Sequence, residues 1–440
     1  MKKLYVAIFS ILFIGLTPGA MAASLGSAVQ QAISTNPDIG VVLSDKDVAE
    51  GDLSEARAGF YPSVDLQANA GREHTDSPST RSNASDPDPS LNRKEASLTL
   101  RQLLFDGFGV WNEVKRRKAL LASSENRVKE RSEQIALDAI EAYLEVLRRN
   151  RLVQLAEENL ARHESTLDMV QRRAEGGGGS VADVRQAEAR LGNAQTILTQ
   201  VEQNLSDAEA TYQRVVGVRP DELTRPNLEG GALPSSLDAA IARAIDNNPS
   251  VLSAKTDLDA ADAAVSASNA PFSPRFDLEL RGRTGSDLDG LRGDNDQTAA
   301  LVVARWNLFR GGADAARKRS NIARQMRAKD VIARTQRVAA EQSRLAWNAL
   351  TSARGRVASL RNVVEANERV REAYGQQFEL SQRSLLDLLD SENELFLSRS
   401  DLVTAEYTAL FGGYRLLGAM GALLNHLNIP VPADKQVAAR

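Results

Sequence analysis

Apolar and polar residues alternate one for one in four short stretches of this chain. Val64, Leu66, Ala68 and Ala70 are interleaved with Asp65, Gln67 and Asn69. Ala96, Leu98 and Leu100 are interleaved with Ser97, Thr99 and Arg101. Phe276, Leu278 and Leu280 alternate with Asp277, Glu279 and Arg281, and Ala300, Val302, Ala304 and Trp306 make a fourth apolar row that Leu301 and Val303 blur. A period of two with one apolar and one charged face predicts four β-strands. The segments His74–Arg93 and Thr284–Asp296 are expected to be polar loops joining each pair.

Elsewhere the period changes to threes and fours. Ile135, Ala139, Ala142, Val146, Val153, Ala156, Leu160, Leu167 and Val170 follow that spacing, interrupted by Arg149 and His163. Val184, Ala187, Leu191, Ala194, Leu198, Val201, Leu205, Ala208, Tyr212 and Val215 continue it. Such a stripe predicts helices packed as coiled coils. The stretch from Trp111 to Glu175 is almost free of Gly and Pro and would be about 98 Å long as one helix. The apolar stripe is rich in alanine, especially in the second half of the chain at Ala339, Ala346, Ala353, Ala405 and Ala409. Small seam residues bury little area each, so assembly with further copies is expected to complete the packing. Sharp reversals are expected at Gly176, Gly177, Gly178, Gly179 and Ser180, and again just before Ser384. Ser180 and Ser384 are placed to cap the helices that follow.

The chain is written twice. Ile33–Ile39 returns as Ile245–Val251 and Phe60–Leu66 as Phe272–Leu278, both 212 residues on. Leu103–Gly109 returns as Asn307–Ala313 and Ser180–Val184 as Ser384–Leu388, both 204 residues on. The change of spacing falls in one polar loop, which argues for duplication. The expected organisation is a first repeat over residues 23–216, a connector rich in Pro and Gly over 217–236, a second repeat over 237–425 and a tail over 426–440. Each repeat should read as a helical segment (about Leu25–Arg57 and Leu237–Ser268), two strands and a long helical hairpin.

Composition narrows the class. Residues 1–22 carry Lys2 and Lys3, an apolar run and Ala20-Met21-Ala22, the pattern of an export signal. The chain has 54 basic and 58 acidic residues and a net charge of −4. That balance gives no support for nucleic-acid binding. With no cysteine, packing or oligomerisation must supply the stability, and a lipid-anchored cysteine is not expected. No long apolar run suggests a helical membrane span, whereas strands that alternate could line a β-barrel. Three scattered histidines, His74, His163 and His426, offer no catalytic or metal-binding grouping, so neither an enzyme nor a cofactor is expected. The stretch Asp287-Leu288-Asp289-Gly290 lacks the full spacing of a calcium loop.

Four strands are too few to close a barrel, but three chains would bring twelve. Asn36-Pro37 and Asn248-Pro249, Tyr61-Pro62 and Ser273-Pro274, Phe105-Asp106-Gly107 and Phe309-Arg310-Gly311, Ser180-x-x-Asp183 and Ser384–Leu395 occur in duplicated order. In these features nearly all of the chain beyond residue 22 resembles the TolC family of outer-membrane export channels. The resemblance implies an α+β fold in which a homotrimer builds an outer-membrane β-barrel and a long periplasmic coiled-coil barrel. Val64, Leu66, Leu98, Leu100, Phe276, Leu278, Val302 and Trp306 would then face outer-membrane lipid. Asp387 and Asp390 match the acidic residues that constrict the pore at the helix tips. Arg383 and Asp183 match a pair that locks the closed tip, and Phe378 stands where the family often has a tyrosine, without its hydroxyl. Implied partners are a periplasmic adaptor (a membrane fusion protein) and an inner-membrane transporter of ABC type. Type I protein secretion is the expected role. Small-molecule efflux is the alternative, and a coiled-coil binding or adhesion protein is an alternative of another class.

Overall fold

A computed structural model describes residues 24–82, 88–228 and 230–433, so the expected signal segment and the Asn83-Ala84-Ser85 glycosylation sequon, expected to be a chance match in a polar loop, lie outside the described residues. The chain divides into two compact units, one of residues 1–32, 138–228 and 353–411, the other of residues 33–137, 229–352 and 412–440. Both units draw on both repeats.

The second unit holds the sheet. Strands β1 (Ser63–His74), β2 (Ser90–Phe105), β3 (Arg275–Ser286) and β4 (Asp294–Arg305) run antiparallel in the order β1-β2-β3-β4. The register is in phase across all four strands apart from a shift in β2 between Leu103 and Phe105. Val64 faces Leu100, Leu100 faces Leu280 and Leu280 faces Ala300; one step along, Leu278 faces Val302 and Phe276 faces Ala304. One face is therefore apolar, and the chain leaves it bare: Leu66 is 75 % exposed and Val302 66 %. Trp306 keeps this parity but lies one residue past β4, outside the ladder. Leu301 and Val303, which blur the alternation, sit on the other face opposite Glu279 and Asp277.

The strands run further than their apolar pattern. His74 pairs with Ser90 and Glu73 with Leu91, while Ser286 pairs with Asp294, so both expected loops shrink. The extension is written in charges, which a hydrophobicity pattern does not register. Arg93 meets Glu73 at 3.2 Å and Glu95 at 2.6 Å, and Arg283 meets Glu95 at 2.5 Å. The loops are also less polar than expected, since Leu91 and Leu288 are buried. The loop after β3 is closed by Asp287 N–H donating to Gly293 O. Gly290 (φ +79°) abuts Thr75 and Thr80, the latter in the short helix α3 (Pro78–Arg81).

Each expected N-terminal helical segment is two helices. Helices α1 (Leu25–Thr35) and α2 (Pro37–Ala58) meet at Asn36. In the second copy the four-residue link 233–236 leads into α6 (Leu237–Asn247), and α7 (Pro249–Ala267) follows Asn248. A residue before proline avoids the helical region. Both asparagines turn this break into a cap, their side chains accepting from Asp38 N–H at 2.9 Å and Ser250 N–H at 3.0 Å.

Four long helices complete the chain: α4 (Gly109–Glu175), α5 (Val181–Val216), α8 (Ala313–Glu379) and α9 (Leu385–Ala419). Helix α4 begins where the Asp106 carboxylate accepts from Gly109 and Val110 N–H. Ala139, Ala142, Val146, Ala156, Val170, Ala187, Ala194 and Tyr212 are buried, as the three-four stripe requires. Within the sheet-bearing unit, Gly421 (φ +65°) turns the chain after α9 into α10 (Leu423–His426). There Glu133, buried, accepts from Leu423 and Leu424 N–H, and burial pushes its carboxyl up to about 7. No described helix is long and apolar enough to cross a membrane.

Candidate pore site at the helix tips

The two helical reversals lie together in the first unit and are built alike. Gly177 takes a left-handed φ of +78° in the first turn, and Ser381, 204 residues on, takes +62° in the second. Equivalent bonds close the turns, from Gly178 N–H to Arg173 O at 2.9 Å and from Gln382 N–H to Gln377 O at 2.8 Å. Gly179 has a second reason to be glycine, because a Cβ there would come within 3.1 Å of Ala174 N.

Each following helix starts on a serine and an acid. Ser180 N–H donates to Asp183 at 3.2 Å, and Asp183 N–H donates to Ser180 Oγ at 3.1 Å. Asp387 N–H donates to Ser384 Oγ at 3.1 Å, and that hydroxyl donates to the Asp387 carboxylate at 2.8 Å. An acid in the first turn also meets the positive end of the helix dipole. Asp387 thus starts α9 whatever else it does. Asp390, one turn on, pairs with Arg190 of α5 at 2.9 Å. Both acids remain about half exposed.

The expected locking residues do not meet as a set. Among the described residues Arg383 makes no bond to Asp183. Instead its guanidinium lies 4.0 Å from the Tyr374 ring centroid, binds Gln377 at 3.1 Å and comes within 3.8 Å of Asp387. Phe378 is buried with Val170, Leu385, Leu388 and Leu389 and acts as core. The residue that ties the tips together is Arg173, which sequence reasoning missed. It donates to Gly178 O at 3.0 Å in one turn, and to Phe378 O at 3.2 Å and Ser381 Oγ at 2.9 Å in the other. Its guanidinium also lies over the Phe378 ring at 5.1 Å. One surface arginine among many carries no signal in a single sequence.

Behind the tips, His163 occupies the buried seam that it interrupts in sequence. Its Nδ1 lies 3.7 Å from the buried Glu392 carboxylate, which Thr166 (3.4 Å) and Arg371 (3.5 Å) also approach. Burial, with the charge of Arg190, lowers the His163 pKa, and burial raises that of Glu392.

A bare apolar sheet face, charged residues opposite it and long hairpins with acidic tips define a class, the barrel-and-helix channels of outer membranes. The model of the outer membrane efflux protein family matches residues 28–218 and 240–422. The chain belongs to that family, as its resemblance to TolC channels implies; it is an outer-membrane channel protein and not an enzyme. It is 26 % identical to the outer membrane efflux protein BepC of Brucella suis, over 92 % of this chain and 86 % of BepC. It is 23 % identical to the alkaline protease secretion protein AprF of Pseudomonas aeruginosa, over 96 % of this chain and 89 % of AprF. The Campylobacter jejuni CmeC outer membrane channel has the same fold, with a TM-score of 0.76 at 16 % identity, covering 91 % of this chain and 86 % of CmeC.

Proposed function

We propose that three copies of this chain close one β-barrel and one helical tunnel that carries secreted protein out of the periplasm. The observation that carries this reading is the sheet. Among the described residues β1 and β4 each pair on one side only, leaving two open edges beside a bare apolar face. An open edge with an apolar face is an aggregation hazard that barrel closure removes. Val64, Leu66, Leu98, Leu100, Phe276, Leu278, Val302 and Trp306 would contact lipid. Asp387 and Asp390 would form stacked acidic rings that favour cations. Because Arg383 and Asp183 do not bond within one chain, their lock would run between neighbouring protomers. An adaptor and an ABC-type transporter would dock at the tips. The likeness to AprF, named for protease secretion, supports protein cargo, while the likeness to BepC, named for efflux, favours small molecules as a second reading. Deleting the gene in its own bacterium separates these readings. Protein cargo requires specific proteins to vanish from the culture supernatant with drug tolerance unchanged; unchanged supernatant with lost tolerance selects efflux.

A further inference from the structure

On the charged face of the sheet, at the end where the strands pass into the helices, four arginines surround two acids. Arg275 Nε binds Asp277 at 3.0 Å, and Arg305 bridges Asp277 at 2.8 Å and Glu279 at 2.6 Å. Arg101 Nε meets Glu279 at 3.2 Å, and Arg281 binds Glu279 from two residues along the strand. The burial is one-sided. Asp277 and Glu279 are 0 % exposed, whereas the four arginine side chains are 40–50 % exposed. The acids lie beneath the guanidinium groups, so solvent meets only the positive layer. Arg101 and Arg275 engage their partners through Nε, leaving both terminal nitrogens unengaged among the described residues. The other charges on this face are Asp65 and the group formed by Glu73, Arg93, Glu95 and Arg283 near the far end. The four arginines and two acids leave two positive charges, and Asp65, level with Arg281 at the same end, reduces the surplus to one per chain.

We propose that these arginines form an anion-binding ring in the barrel lumen, a site for polyanions such as condensed phosphates. The inference rests on the reading that three chains close the barrel with this face inward; the surplus of one per chain then becomes about three around the ring, consistent with charged rings setting pore selectivity. Guanidinium forks match phosphate oxygens in pairs, so the ring recognises phosphate geometry as well as charge. Two opposed filters then act on one path, arginines in the barrel and aspartates at the tips.

The test is single-channel recording of the trimer in a planar bilayer, with inorganic tripolyphosphate as the probe. Wild-type current is expected to be blocked by tripolyphosphate. Arg275→Gln with Arg281→Gln should raise the half-blocking concentration about tenfold or more, roughly the factor of one charge-assisted hydrogen bond, and shift the reversal potential in a salt gradient towards cations. Arg275→Lys with Arg281→Lys, which keeps the charge, should hold the reversal potential while weakening the block. Conducting wild-type channels that tripolyphosphate leaves unblocked overturn the proposal, whether or not the variants assemble. So does block that is equal in the wild type and the Gln variant. A folded wild-type protein that never conducts overturns the channel reading itself, and this proposal with it.

Discussion

Replacing Arg173 with alanine should loosen both helix tips at once. The side chain makes three hydrogen bonds, two to the Phe378 carbonyl and Ser381 hydroxyl of one turn and one to the Gly178 carbonyl of the other. A bond from a charged donor contributes about 1.5–3 kcal/mol when well buried. These sites are exposed or partly buried, so about 1 kcal/mol each is the appropriate scale. The cation–π contact with Phe378 adds about 0.5 kcal/mol. The sum, about 3.5 kcal/mol, is a change of more than a hundredfold in the local opening equilibrium. Amide hydrogen exchange reads that equilibrium directly. The amides of Gly178 and Gln382, which close the two turns, should exchange about a hundredfold faster in Arg173→Ala. Amides in the middle of α5 and α9 should not change. Arg173→Lys, which keeps charge but loses the fork, should fall between. Exchange altered less than about threefold at both turns would show that the turns hold themselves and that the clasp is incidental.

Three further substitutions test a backbone turn and a buried carboxyl. Gly177→Ala should destabilise the first turn by about 1 kcal/mol because φ is positive there, while Gly176→Ala should be near neutral; thermal melting of the trimer compares them. Glu133 titrates near 4.5 when unfolded and about 7 when folded. The folded chain therefore keeps a proton that the unfolded chain releases between those values, so this group's stabilisation is complete below pH about 4.5 and is lost as pH rises to about 7. That loss amounts to about 3 kcal/mol. Denaturant unfolding from pH 5 to 8 should show the decline in wild type and a flatter profile in Glu133→Gln; parallel profiles would remove Glu133 as the cause.

The sequence made some of this legible for clear reasons. Apolar alternation located all four strands because one face of each is apolar along most of its length, and it lost their outer ends where paired charges replaced that pattern. The duplication placed both turns, since Gly177 and Ser381 hold equivalent left-handed positions with different residues. Helix breaks at Asn36 and Asn248 were present as Asn-Pro pairs, but each was read as lying within a single helical segment. The tip acids were visible as a pair, yet Asp387 also serves as a helix-start acid and Asp390 is matched by Arg190. Arg173, Arg190, Arg101 and Arg305 were invisible because each has a partner 26 to 208 residues away, while Arg275 and Arg281, which bind acids two residues along their own strand, showed only as the charged half of an alternation. His163 stood out only as a flaw in a stripe, and its meaning came from Glu392 across the seam.

Asp387 and Asp390 are proposed to gate the channel at its helix tips. Single-channel conductance in a planar bilayer, wild type beside the Asp387→Ala, Asp390→Ala double variant, tests that most directly. The expected result is a small, cation-selective wild-type conductance that rises and loses selectivity in the variant while the trimer still assembles. Identical selectivity in the two proteins would return Asp387 and Asp390 to capping and surface pairing. No conductance from folded wild-type protein would contradict the proposed transport through this chain.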